Sequence, residues 1–227
     1  MIEQKPSFET IDNYLQPTQF VDSDSPEVIE FAQTTIGEAQ TDVDQGIALY
    51  YAVRDRIRYS PYSIVFEPDT FKASWLLREK IGFCIQKAIL LAAAARAVAI
   101  PSRLGFADVR NHLATERLIQ LMQTDEFIFH GYTELHLNGR WVKATPAFNL
   151  ALCERFRVKP LEFDGRNDSI FHSFDLGGKK HMEYLRDHGQ FADLPYEKMV
   201  RAFAQGYPHL FGEAGPGWPR GNFEQEA

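Results

Sequence analysis

Apolar positions in the first hundred residues recur at helical spacing. Ser25 followed by Pro26 reads as an N-cap with proline at the first helical position, and Val28, Ala32 and Ile36 then fall on one face. A second start lies at Thr41, where Asp44 three residues on makes a capping-box pattern. Val43, Ile47, Tyr50 and Ile57 continue that face, and Pro61 closes the region. A shorter helix is expected after Asp69-Thr70, carrying Trp75, Leu76 and Leu77. The strongest helical pattern runs from about Phe83 to Ala99, with Ile85, Ala88, Ile89, Ala92, Ala95 and Ala99 on one face. Its run of four alanines combines high helix propensity with little bulk, so the helix can approach a sheet closely. Pro101 ends it.

Beyond that proline the period changes to two. Arg103 to Val109 reads as a strand with Leu104 and Phe106 on one face, and His112 to Gln123 as an inserted amphipathic helix. Phe127 to Leu137 and Arg140 to Thr145 read as strands joined by Asn138-Gly139, the favoured type I′ turn. A two-residue turn there pairs Leu137 with Arg140, Leu135 with Val142, Glu134 with Lys143, Tyr132 with Thr145 and His130 with Ala147. The opposite charges of Glu134 and Lys143 support this register. Leu135, Leu137, Val142 and Ala144 then share one face, and His130, Tyr132 and Thr145 the other. After residue 150 the pattern weakens. The stretch from Pro160 to Gly178 reads as an ordered loop, Tyr196 to Phe211 contains a helix, and the last dozen residues read as an irregular tail. There is no internal repeat and no linker, so the expectation is a single domain over residues 1–227.

Composition narrows the function classes. A formal net charge of −7 without a basic stripe argues against nucleic-acid binding. No apolar stretch approaches the length of a transmembrane span, so no membrane association is expected. The opening MIEQKPSFET lacks a signal-peptide pattern. Cys84 and Cys153 lie far apart with no CxxC spacing, which predicts two free thiols in a reducing, cytoplasmic setting. Cys153 reads as a small buried hydrophobe. Neither cysteine has histidines at metal-ligand spacing, so neither a metal nor a cofactor is expected. The 18 phenylalanines point to a core rich in rings.

The candidate chemistry starts at Cys84. A thiol in the first turn of a helix feels the positive end of the helix dipole, which favours the reactive thiolate. Gly82 suits a tight turn into that helix. His130, on a later strand, is the natural proton partner, and such a partner needs a third group to hold its ring. The hairpin register offers two neutral diagonal neighbours, Thr145 and Asn149. The Cys84 backbone N–H is one expected oxyanion donor. Tyr59 and Trp75 could be further donors, although core packing is the plainer reading of both. Gln86 is expected on the exposed face of its helix and Arg103 at the surface. His112, His136, His172, His181, His188 and His209 are expected in surface or packing positions.

The run GFCIQKAILLAAAARAVAIPSRLGFADV resembles the cysteine helix and following strand of the transglutaminase-like superfamily, and FHGYTELHLNGRWVKATP resembles its histidine strand and tryptophan-bearing return strand. The resemblance covers roughly residues 45–150. It implies an α+β fold with a papain-like core, a cysteine helix packed on an antiparallel sheet. Residues 1–44 would be a helical addition, and 151–227 a loop-rich and helical one. By position Cys84 matches the nucleophile and His130 the base. The family usually carries an aspartate four residues after the tryptophan, where this chain has Thr145. Thr145 is therefore the expected orienting residue, with Asp108, Asp164 and Asp168 as carboxylates that could fill the gap. The implied activity is thiol-dependent acyl transfer or hydrolysis of an amide-type bond in a peptide, protein or small-molecule substrate. The alternative is a transglutaminase-like binding module that has lost catalysis.

Overall fold

The computed structural model describes residues 10–112, 114–170, 182–212, 215–218 and 220–226. Before the sheet come helices α1 (Pro26–Ile36) and α2 (Asp42–Arg56), the short strand β1 (Arg58–Tyr59), helix α3 (Ala73–Glu79), the short strand β2 (Ile81–Gly82) and helix α4 (Cys84–Ala97). Strand β3 (Ser102–Asn111), helix α5 (Glu116–Met122), and strands β4 (Glu126–Leu137) and β5 (Arg140–Ala144) follow. Helix α6 (Leu150–Phe156), strand β6 (Met182–Phe191) and helix α7 (Tyr196–Gly206) complete the fold. It is an α+β architecture with a four-stranded sheet in the order β5-β4-β3-β6, antiparallel throughout.

The predicted helix starts hold. The Ser25 hydroxyl accepts the Val28 N–H at 3.4 Å, and the Thr41 hydroxyl accepts the Asp44 N–H at 3.1 Å. These caps satisfy amides that a helix start leaves without an intrahelical acceptor.

Helix α4 departs from the expected amphipathic pattern, because every residue from Cys84 to Arg96 is buried. It packs against β4 and β3 on one side and is wrapped by α1, α2 and α3 on the others. Gln86, expected on the exposed face, is 1% exposed. Its two polar neighbours on the helix are buried against carbonyls. Lys87 Nζ donates to Arg54 O at 2.8 Å and Ile57 O at 2.6 Å at the C-terminal end of α2, and burial lowers its pKa to about 7. Arg96 donates to the carbonyls of Gln16, Ser102 and Ala192, tying the N-terminal segment and β6 to the far end of α4.

The hairpin register is as predicted from Leu137–Arg140 to Glu134–Lys143, with Asn138 and Gly139 both at positive φ (47° and 78°). The ladder stops at Thr133–Ala144, so the expected Tyr132–Thr145 and His130–Ala147 pairs are absent. Thr145 N–H turns instead to the carbonyl of Ser169. The ion pair of Glu134 is also not the expected one. Arg103, opposite it on β3, holds its carboxylate at 2.6 Å and stacks on Trp141 at 4.2 Å. Arg103 is therefore part of a half-buried network and not a plain surface charge.

The helix predicted over 112–123 is confined to Glu116–Met122, where Thr115 caps the start. Helix α6 and strand β6 were not anticipated. The tail, expected to be irregular, is pinned to the body of the fold: Trp218 Nε1 donates to Pro61 O at 2.8 Å, and Phe223 stacks on Phe156. The part of the predicted loop beyond residue 170 lies outside the described residues.

Candidate active site

Cys84 is placed by a close meeting of three backbone segments. Strand β1 pairs with β2 in parallel, bringing Tyr59 alongside Gly82, two residues before the thiol. A side chain at Gly82 would put a Cβ 2.5 Å from Leu76 Cδ1 and 2.8 Å from Gln86 Oε1, so glycine is needed for closeness and not for an unusual dihedral. Phe83 is the N-cap but has no side-chain acceptor. Gln86 supplies the reciprocal half of a capping box, its Oε1 accepting the Phe83 N–H at 3.3 Å. Its Nε2 donates to Thr70 O at 2.7 Å.

His130 reaches the head of α4 because the next residue is glycine. A Cβ at Gly131 would lie 2.9 Å from Ile85 Cα, so β4 touches the helix start with no side chain between them. The backbone N–H dipoles of Gly131, Ile85 and Cys84 itself favour the Cys84 thiolate. Cys84 and His130 line one cavity, 8% and 6% exposed respectively.

The electrostatics differ from the simple expectation for a helix start. Burial pushes the Cys84 thiol up to about 11, against the three N–H groups that favour the thiolate. Burial also lowers His130 to about 4. Desolvation thus outweighs the local dipoles, and the resting pair at neutral pH is thiol and neutral imidazole.

The strand carrying His130 is kinked just before it. Ile128 and Phe129 together oppose Asp108, since the ladder steps from His130–Ala107 to Phe127–Val109. Phe129 sits at φ 61°, a left-handed conformation unusual for an aromatic residue. Asp108 Oδ1 accepts its N–H at 2.9 Å and lies 2.7 Å from His188 Nε2 on β6. The His188 ring packs on Phe129, with centroids 4.5 Å apart. Tyr207, after α7, accepts the Ile128 N–H with its hydroxyl and donates to Glu126 O.

A family model of the transglutaminase-like superfamily matches residues 29–146, just over half of the 227. The chain belongs to that superfamily. The matched region begins earlier than the expected residue 45 and takes in most of α1. No protein of curated function matches. Among solved structures, a proposed cysteine protease from Cytophaga hutchinsonii is 17% identical, with a TM-score of 0.48 over 80% of this chain and 54% of that one. A proposed protease from Parabacteroides distasonis is also 17% identical, with a TM-score of 0.40 over 62% of this chain and 26% of that one. The chain thus spans about half the length of the first protein and about a quarter of the second.

At the transglutaminase-like aspartate position, Thr145 has a buried hydroxyl with no hydrogen-bond partner among the described residues. The candidate carboxylates are engaged elsewhere. Asp108 holds Phe129 and His188, as above. Asp168 Oδ1 accepts the Lys143 N–H at 2.9 Å. Asp164 closes an exposed turn onto the N–H groups of Arg166 and Asn167, which draw its carboxyl down to about 2. Asn149 Oδ1 accepts the Tyr59 N–H at 3.1 Å.

Tyr59 lies in the cavity wall, and Trp75 is not among the described residues lining it. Burial, with the nearby Cys84, raises the Tyr59 phenol well above its usual range. Cys153 is fully buried. His112 lies near Glu183, His136 packs on Trp141, and His209 bonds the Leu121 carbonyl. His172 and His181 lie outside the described residues. The sequence reading missed the His188–Asp108 pair, because β6 carries little of the alternation by which a strand is recognised.

Proposed function

We propose that this protein is a thiol-dependent acyl-transfer enzyme acting on an amide-type bond. The supporting observation is that Cys84 and His130 share one cavity, with the strand beside His130 packed directly on the head of the cysteine helix at Gly131 and Ile85. Because the resting pair is neutral, His130 acts as a general base: it takes the thiol proton as sulfur attacks the carbonyl, then returns it to the leaving group. The acyl-thioester so formed is released by water, or by an amine where one is supplied. The Cys84 backbone N–H is one donor to the developing oxyanion, and the Tyr59 phenol is the second. Thr145 takes the place of the family aspartate. A threonine there brings no charge to stabilise an imidazolium.

The test is stoichiometric acylation of Cys84 by a p-nitrophenyl ester, read as a nitrophenol burst and as intact mass. Cys84→Ala is expected to abolish it. His130→Gln should slow it about 100-fold or more, the ordinary size of general-base catalysis. Equal acylation of wild type and Cys84→Ala would overturn the proposal.

A second reading, a binding module without catalysis, is favoured by the threonine at the aspartate position and by the upward push on the thiol. It predicts that no activated ester acylates Cys84 faster than a free thiol model compound.

A further inference from the structure

We propose that the cavity beside Cys84 binds the acyl group of the donor, and that it selects a small uncharged apolar group over one bearing a carboxylate or an ammonium. This rests on the thiol chemistry proposed above and adds the substrate class.

The wall decides the class. Among the described lining residues there is no Asp, Glu, Lys or Arg. Ile64, Phe127, Ile128, Met182, Trp218 and Phe223 are among its apolar lining, and the polar side chains besides the catalytic pair include tyrosines and Asn111. The carboxylates nearby are held by other partners: Glu226 by Tyr62 and Thr115, Glu126 by Arg110, and Asp108 by Phe129 and His188. A charged acyl group would lose its hydration in this space without a counter-ion, at a cost of several kcal/mol. An apolar group gains by the same transfer. The cavity volume is about 50 Å³, far below that of a drug-sized ligand site, so the group it takes is small.

The chemical step is ordinary acyl transfer. Sulfur forms the C–S bond, the bond from the acyl carbon to its leaving group breaks, and the thiol proton passes through His130 to that leaving group.

The experiment compares p-nitrophenyl butyrate with the p-nitrophenyl monoester of succinate, which has the same chain length, each rate divided by that for free N-acetylcysteine. The butyryl group is expected to acylate Cys84 more than about tenfold faster, the gain from burying a chain of that size. Met182→Lys, placing a cation in the wall, is expected to shift the ratio about tenfold towards succinyl. An independent measurement needs no variant: butyramide is expected to slow alkylation of Cys84 by iodoacetamide, and succinamate is not. Equal acylation by both esters would overturn the selectivity while leaving thiol acyl transfer standing. Protection by butyramide with no acylation by either ester would support the pocket and overturn the catalytic reading. Absence of both protection and selectivity would overturn the pocket.

Discussion

The carboxylate of Asp108 accepts the backbone N–H of Phe129 at 2.9 Å, one residue before His130. That bond holds an aromatic residue at φ 61°, a conformation costing roughly 1–2 kcal/mol for a residue with a Cβ. If His130 is the base, Asp108 is expected to act on it through the backbone, as a positioning residue. Asp108→Ala is expected to lower Cys84 acylation about tenfold or more, and to destabilise the fold by about 1–3 kcal/mol through the amide left unpaired. Asp108→Asn retains an acceptor oxygen and should restore most of the acylation rate. A purely structural role would lower the yield of folded protein and leave the rate per folded molecule unchanged.

The pH profile of acylation follows from the burial of His130. The base is active when neutral, so the rate should rise as pH climbs through about 4, with no inflection near the ordinary 6.5. Stability has the same sign. Between those two values the unfolded chain takes up a proton that the folded one does not, so stability falls as pH drops across that window. Comparing urea midpoints of wild type and His130→Phe from pH 7 to pH 4 isolates the effect, and a constant difference would contradict the burial argument.

Lys87, 0% exposed, makes a similar prediction at higher pH. Its folded value of about 7 lies below the ordinary 10.5, so unfolding binds a proton between the two and stability rises with pH across that interval. Lys87→Met removes this dependence and leaves the carbonyls of Arg54 and Ile57 without their donor. The variant should be less stable than wild type, by a margin that grows from pH 7 to pH 10 in chemical denaturation.

Gly131→Ala tests the approach of β4 to the helix head. The added methyl meets backbone, Ile85 Cα at 2.9 Å, so strand and helix must separate. A cost of about 1–3 kcal/mol is expected from overpacking. Cys84 acylation should fall further than in Gly139→Ala, whose open turn position leaves the site untouched.

Arg103→Ala is expected to cost about 3–5 kcal/mol, because it leaves Glu134, 2% exposed, as a buried carboxylate without its cation. Glu134→Gln in the same background should recover part of the loss, measured as thermal midpoints of the single and double variants.

The parts of this fold legible in the sequence were those governed by local rules. Ser25-Pro26, Thr41 and Asn138-Gly139 each encode a cap or turn through neighbours a few residues away, and each forms; of the capping box expected at Thr41 only the N-cap half is made, since the Asp44 carboxylate accepts the Thr41 hydroxyl. Cys84 and His130 could be paired because their elements are strongly patterned. What stayed hidden depends on tertiary approach. The bulge at Asp108 is set by pairing on both sides of β3, and nothing in the run Phe106 to Arg110 announces it. Strand β6, with its sequence MEYLRDHGQF, is largely solvent-facing at the sheet edge and carries charges where a buried strand would alternate. Without it, His188 had no address. Gln86 was assigned to water because a polar residue on a helix usually belongs there, whereas here Thr70 and Phe83 supply its partners.

The bond from Trp218 to Pro61 joins positions 157 residues apart. Trp218 and Pro61 both line the cavity, so part of its wall is closed by a contact whose loop-closure cost exceeds that of local ones. Movement of Trp218 and Phe223 out of the wall would widen access to the cavity that Cys84 lines. Amide exchange at these residues, followed alongside the alkylation rate of Cys84, would reveal whether the two share a single opening equilibrium.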